Sequence, residues 1–160
     1  MSGVTPAELG EHAFLRGMTD HQLAILARAC WVAPVRAGHR LFEEGGTAHR
    51  FWLLRSGHIA LDVHAPGRHK LLIETLGPGD LVGLSWLVPP YEWQFGATAV
   101  QDTVTFELNA LAVRAACEED TALGYELLRR IMAAAASRLH ATRVRMLDLY
   151  AASGAGEDRA

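Results

Sequence analysis

The middle of the chain contains no apolar run long enough to make a helix. Between Trp31 and Leu108 the apolar residues come in short pieces: Phe51–Leu54, His58–Val63, Leu71–Leu76, Leu81–Val82, Ala97–Val100 and Val104–Leu108. Glycines at 38, 45, 46, 57, 67, 77, 79, 83 and 96 separate them. Such pieces between turn residues read as strands, because a helix needs about ten residues to build an apolar face. The run His58–Val63 alternates, as a strand with one wet face does. Many short strands with closely spaced turns close into a sandwich, barrel or roll. Helices must lie outside this stretch.

Both flanks carry helix signals. Thr5-Pro6-Ala7-Glu8 is a capping box with Pro at the first helical position. Thr19-Asp20-His21-Gln22 is a second box, followed by Leu23, Leu26, Ala27 and Cys30 at helical spacing. After the strands, Asn109 caps a short helix to about Cys117, and Asp120 caps a longer one to about Tyr150. The order predicts one α+β, mainly β, domain over residues 1–150, with the roll at about 31–108 and the C-terminal helices at about 109–150. Residues 151–160 are small and polar and are expected to form a flexible tail.

Composition excludes several classes. Half the 160 residues are hydrophobic and the net charge is only −3, so the chain is not a disordered one. No stretch approaches the ~18 apolar residues of a membrane helix. No basic segment precedes an apolar one at the N-terminus, so no secretory signal is expected and the location expected is cytoplasmic. Cys30 and Cys117, in helical and apolar surroundings, are expected as buried thiols; two cysteines so far apart make neither a disulfide framework nor a zinc knuckle. His58, His64 and His69 lie near one hairpin, but their spacing matches no metal-ligand set, and solvent-facing strand positions are expected. No Ser-His-Asp order, carboxylate pair or phosphate loop points to catalysis. No catalytic and no metal residue is therefore nominated.

Four pieces in order resemble one known family. They are Ala37-Gly38-His39-Arg40-Leu41-Phe42-Glu43-Glu44-Gly45, Phe51-Trp52-Leu53-Leu54-Arg55-Ser56-Gly57, Gly77-Pro78-Gly79-Asp80-Leu81-Val82-Gly83 and Arg138-Leu139-His140-Ala141-Thr142. Together they resemble the cyclic-nucleotide-binding domain of the Crp/Fnr kind, over residues from about 8 to 150. The resemblance implies a β-roll (double-stranded jelly roll) with N-terminal helices and a long C-terminal dimerisation helix. Gly45, Gly57 and Gly79 then fall at roll corners that need positive φ or close approach.

The family's ligand site is a phosphate-binding cassette: a strand end, Gly-Glu, a short helix, then Arg and a small hydroxyl residue. The Glu accepts from the ribose hydroxyl and the Arg pairs with the cyclic phosphate. Here Gly83 matches, Leu84 stands at the Glu position, and the Arg position falls on Trp93 or, with another loop length, on Glu92. No Arg occurs between Arg68 and Arg114. The candidate ligand residues are Gly83, Leu84, Ser85, Trp86, Glu92, Trp93, Gln94 and Phe95, with Thr142 and Arg143 from the long helix. Three readings stay open. The aromatics plug an emptied site, they line a pocket for a different ligand, or a nucleotide binds through backbone N–H groups and an arginine from elsewhere, with Arg50, Arg55 and Arg143 as candidates. A cyclic nucleotide or a related small molecule is the only ligand class the resemblance suggests.

Leu128, Met132, Ala135, Leu139, Thr142, Met146 and Leu149 follow at steps of four and three, an unbroken heptad seam. The resemblance makes it the seam of a parallel homodimer. Arg129, Arg138, Arg143 and Arg145 flank it with no acid among the flanking positions, so an anion is expected nearby: carboxylates of the roll, a ligand phosphate or an acidic partner. The reading is a regulatory sensor domain without enzymatic activity, signalling through a dimer helix. The alternative is an adaptor with a degenerate pocket that binds a partner protein. About ten residues follow Tyr150, too few for a helix-turn-helix, and specific DNA binding is not expected.

Overall fold

The computed structural model describes residues 3–67 and 69–157. Helices α1 (Pro6–Gly10) and α2 (Asp20–Arg28) begin at the two capping boxes. Thr5 Oγ1 accepts the Glu8 N–H at 3.2 Å while the Glu8 carboxylate takes the Thr5 N–H at 2.8 Å. Gln22 closes the same reciprocal pair with Thr19.

Eight strands follow: β1 (Cys30–Val35), β2 (Arg40–Phe42), β3 (Arg50–Ser56), β4 (Ile59–His64), β5 (Lys70–Leu76), β6 (Leu81–Val82), β7 (Gly96–Ala99) and β8 (Thr103–Asn109). They form two antiparallel sheets, β1-β8-β3-β6 and β2-β7-β4-β5. One buried cluster joins both sheets to the helices, with Phe51, Leu53, Leu61, Val82, Phe106 and Leu108 among its members. The corner glycines Gly45, Gly57 and Gly79 have φ of +85°, +87° and +94°. At Gly57 an added Cβ would lie 2.3 Å from Thr103 Oγ1, so this corner admits no other residue without rearrangement.

Two expectations are corrected. Cys30 does not sit in a helix: it opens β1, which pairs with β8 from Cys30↔Leu108 to Val35↔Thr103. The sequence hides β1 because Pro34 breaks its apolar run. At a sheet edge, the position β1 holds, a proline costs no shared hydrogen bond. Cys30 is buried as expected, Cys117 only half-buried; burial pushes the Cys30 thiol up to about 12 and the Cys117 thiol up to about 11. The second correction concerns the tail, because the last helix continues through it.

Helix α3 (Ala110–Glu119) is capped by Asn109, which accepts the Ala112 N–H at 3.1 Å. Helix α4 (Thr121–Glu157) starts where Asp120 accepts the Leu123 N–H at 3.2 Å. Small residues such as Ala151, Ala152 and Gly154 do not stop α4, which includes residues 151–157 of the expected tail; residues 158–160 lie outside the described ones. Leu123, Leu127, Ile131 and Arg138 form its buried stripe against the rest of the domain. From Arg143 to Gly154 every residue is exposed. Among the described residues no helix is long and apolar enough to cross a membrane.

Candidate functional site: a cassette filled by its own side chains

Strand β6 ends at Val82, and the chain turns at Gly83 with φ +100°. That conformation is strained for any residue with a Cβ, and here space forbids one too: a Cβ on Gly83 would lie 2.8 Å from the Trp93 ring. Trp93 is laid over Gly83 by two backbone bonds. Its N–H donates to the Gly46 carbonyl at 2.8 Å, and its own carbonyl accepts from Gly45 N–H at 2.8 Å. The indole stacks on Phe42 at 4.0 Å, and Phe42 stacks in turn on Trp52 at 5.5 Å. Trp93 is 5% exposed.

What remains is a void of about 10 Å³, lined by Gly83, Leu84, Ser85, Trp93, Gln94, Phe95, Phe42, Leu61 and Arg138. That is roughly the room of a single water. Six nominated residues thus meet at one place: Gly83, Leu84, Ser85, Trp93, Gln94 and Phe95. The other four do not line it. Trp86 turns away into the core and stacks on Phe51 at 3.9 Å, with its carbonyl held by Arg114 at 2.6 Å. Glu92 is exposed and does not line the void. Thr142 donates its hydroxyl to the Arg138 carbonyl at 2.9 Å, one turn back on its own helix. Arg143 is exposed, because five residues past Arg138 it has turned off the buried stripe.

The arginine that α4 does present to the cassette is Arg138. It is 5% exposed, donates to the Leu81 carbonyl, and lies 3.9 Å from a Glu74 carboxylate oxygen. Burial pulls its guanidinium down to about 10, against the opposing pull of Glu74 and Asp80. Burial raises Glu74 above the ordinary carboxylate range, with Arg138 pulling the other way, and its Oε2 has no hydrogen-bond partner. Sequence reasoning set Arg138 on the dimer flank; its place on the stripe Leu123, Leu127, Ile131 was the available signal. The expected anion beside it is a carboxylate of the roll, Glu74. The other candidates lie elsewhere. Arg50 pairs with Glu107 at 3.3 Å and Arg55 covers the Phe106 ring at 4.4 Å. Arg129, read as lacking an acid, meets Glu126 on its own helix at 3.3 Å.

Residues 32–120 match the family described as Cyclic nucleotide-binding domain. The chain belongs to the cyclic nucleotide-binding domain family. Members of this family are regulatory modules, and the likeness extends over the whole frame. A protein from Geobacter metallireducens, described as a putative cyclic nucleotide-binding protein, superposes with a TM-score of 0.77 at 27% identity, covering 86% of this chain and 99% of that one. The Thermus thermophilus catabolite activator protein shares the fold with a TM-score of 0.66 at 22% identity, over 87% of this chain and 63% of that one. In sequence, a CRP-like cAMP-activated global transcriptional regulator of Mycobacterium tuberculosis is 23% identical over 141 residues, 88% of this chain. The chain spans about three fifths of that relative's length, the shared region being 61% of it. By the resemblance alone, Leu84 stands at the Glu position and either Trp93 or Glu92 at the Arg position.

Proposed function

We propose that this domain is a regulatory module whose nucleotide site is closed by its own aromatic side chains, and that it acts as a homodimer through α4. One observation supports the reading: the Trp93 indole, at one of the two candidate positions for the family's arginine, packs over Gly83 and leaves about 10 Å³. Two charge-assisted hydrogen bonds of roughly 1.5–3 kcal/mol each are forgone, which lowers affinity about 10²–10⁴-fold. Cyclic AMP and cyclic GMP should therefore bind in the high-micromolar to millimolar range or not at all. The dimer reading rests on the seam residues Leu128, Met132, Leu139, Met146 and Leu149, which are 38–62% exposed within one chain.

A second reading has one observation in its favour. Arg138 is buried at the void with most of its five donors unspent, a ready phosphate partner if Trp93 swings out. Titration calorimetry with cyclic AMP on the native chain and on Leu84→Glu/Trp93→Arg separates the two. Weak or absent heat from the native chain with recovered binding in the variant supports the closed site. Low-micromolar binding by the native chain overturns it in favour of Arg138.

A further inference from the structure

Trp93 also borders a much larger space, a half-open cleft of about 730 Å³ between β1, β2 and the start of β3. Small-molecule sites typically measure roughly 300–1,000 Å³. Phe42, Trp52 and Trp93 give it aromatic walls, Leu41 and Val35 add aliphatic ones, and its buried polar group is Glu107. Trp31, Glu107 and Trp52 are direct neighbours across β1, β8 and β3. That register pins the carboxylate, which is 9% exposed: one oxygen accepts the Trp31 indole N–H, the other the Trp52 indole N–H at 2.9 Å. Among the described residues, one cation pairs with it. Arg50 reaches Glu107 at 3.3 Å and lies 5.7 Å from the Trp31 ring centre, with 57% of its side chain exposed.

We propose that this cleft is a binding site for a compact organic cation, an ammonium or guanidinium group on an apolar stem, which takes Arg50's place against Glu107. Arg50 is a resident stand-in for that chemistry, a planar cation set beside a carboxylate and over an indole. Its hold is weak, since 3.3 Å is long for a charge-assisted bond and the more than half-exposed Arg50 can trade the contact for water. Glu107, by contrast, cannot leave. Two indole donors hold it in a place where an unpaired charge is costly, so it selects a cation over a neutral molecule of the same shape. Anions are disfavoured because the other carboxylate of the lining, Glu43, adds to the same sign, although Arg40 holds it at 2.9 Å. The cleft shares Trp93 with the cassette, but its charged groups, Glu107 and Arg50, stand outside the cassette void.

The test uses the full chain labelled with ¹⁵N and follows its four tryptophan indole N–H resonances. The probes are choline and its neutral isostere 3,3-dimethylbutan-1-ol. Choline should shift the Trp31 and Trp52 resonances saturably, and the alcohol should bind at least about tenfold more weakly. Arg50→Ala, an exposed change, should tighten choline binding about three- to tenfold by removing the competitor. Glu107→Gln should abolish the preference for the cation; if that variant does not fold, the isostere pair and Arg50→Ala still decide. No saturable choline shift, equal shifts by the alcohol, or weaker binding in Arg50→Ala would each overturn the proposal.

Discussion

Gly83 and Trp93 exclude each other's alternatives, which makes their energetics separable by mutation. Gly83→Ala adds a methyl 2.8 Å from the indole at φ +100°, and should cost about 2–4 kcal/mol. In a Trp93→Ala background the steric part vanishes and only the backbone strain remains. Urea unfolding of the four proteins of this cycle should give a coupling of at least ~1 kcal/mol; additive losses would mean that the two residues do not touch in solution. His12 makes a second single-residue case. Its Nδ1 accepts the Phe14 N–H at 3.2 Å, so its proton sits on Nε2, which donates to the Leu54 carbonyl at 2.7 Å. Burial lowers its pKa, Arg55 lowers it further, and the Leu54 bond and Asp80 oppose. The unfolded chain therefore takes up a proton near pH ~6.5 that the folded one refuses. The stability His12 contributes is complete above that pH and is lost as pH falls through the folded pKa. Denaturation midpoints at pH 7.5 and 5.5 should differ more for the native chain than for His12→Phe, and equal differences would rule the mechanism out.

At the level of elements, α4 carries two faces with opposite tasks. Leu123, Leu127, Ile131 and Arg138 anchor it, while Leu139, 62% exposed, stands on the seam. Leu139→Asp should leave the melting of the isolated domain almost unchanged but convert a dimer to a monomer in light scattering, because a carboxylate in a paired seam costs several kcal/mol. A native monomer at micromolar concentration would refute the seam. The caps of α1, α2, α3 and α4 were legible in the sequence because each is a local bond between residues three apart. Most of the later strands were legible for a similar reason, as a glycine stands at or near one end of the apolar run. β1 and β2 were not: Cys30-Trp31-Val32 continues the apolar stretch of α2, and only pairing with β8 makes it a strand. The site divides the same way. That the stretch after Gly83 lacks the family's Glu and Arg is visible in the sequence, whereas Arg138 at the void follows from how α4 rolls onto the domain. The buried Glu107 needed two sheet registers to come together, and no single stretch of sequence carries that.

For the molecule as a whole, the roll and the free end of α4 are separable parts. Ending the chain after Thr142 removes no residue that is buried among the described ones, so circular dichroism should record the same strand content and nearly the same monomer stability. The truncation takes away Met146 and Leu149 of the seam, and dimer dissociation should rise at least about tenfold in sedimentation experiments; an unchanged dimer would move the interface to the first half of the helix. The geometry of that helix also has a mechanical side. From Leu123 to Arg138 the anchored part is about 22 Å long, and from Leu123 to Glu157 the whole lever is about 51 Å, at 1.5 Å per residue. A shift of about 1 Å at Arg138 would tilt the axis by roughly 2.5° and carry its far end about 2.3 Å sideways, if the helix stays straight. The domain thus has a built-in gearing of about two to one, and any repacking of the small void beside Arg138 is read out, magnified, at the tip of the rod.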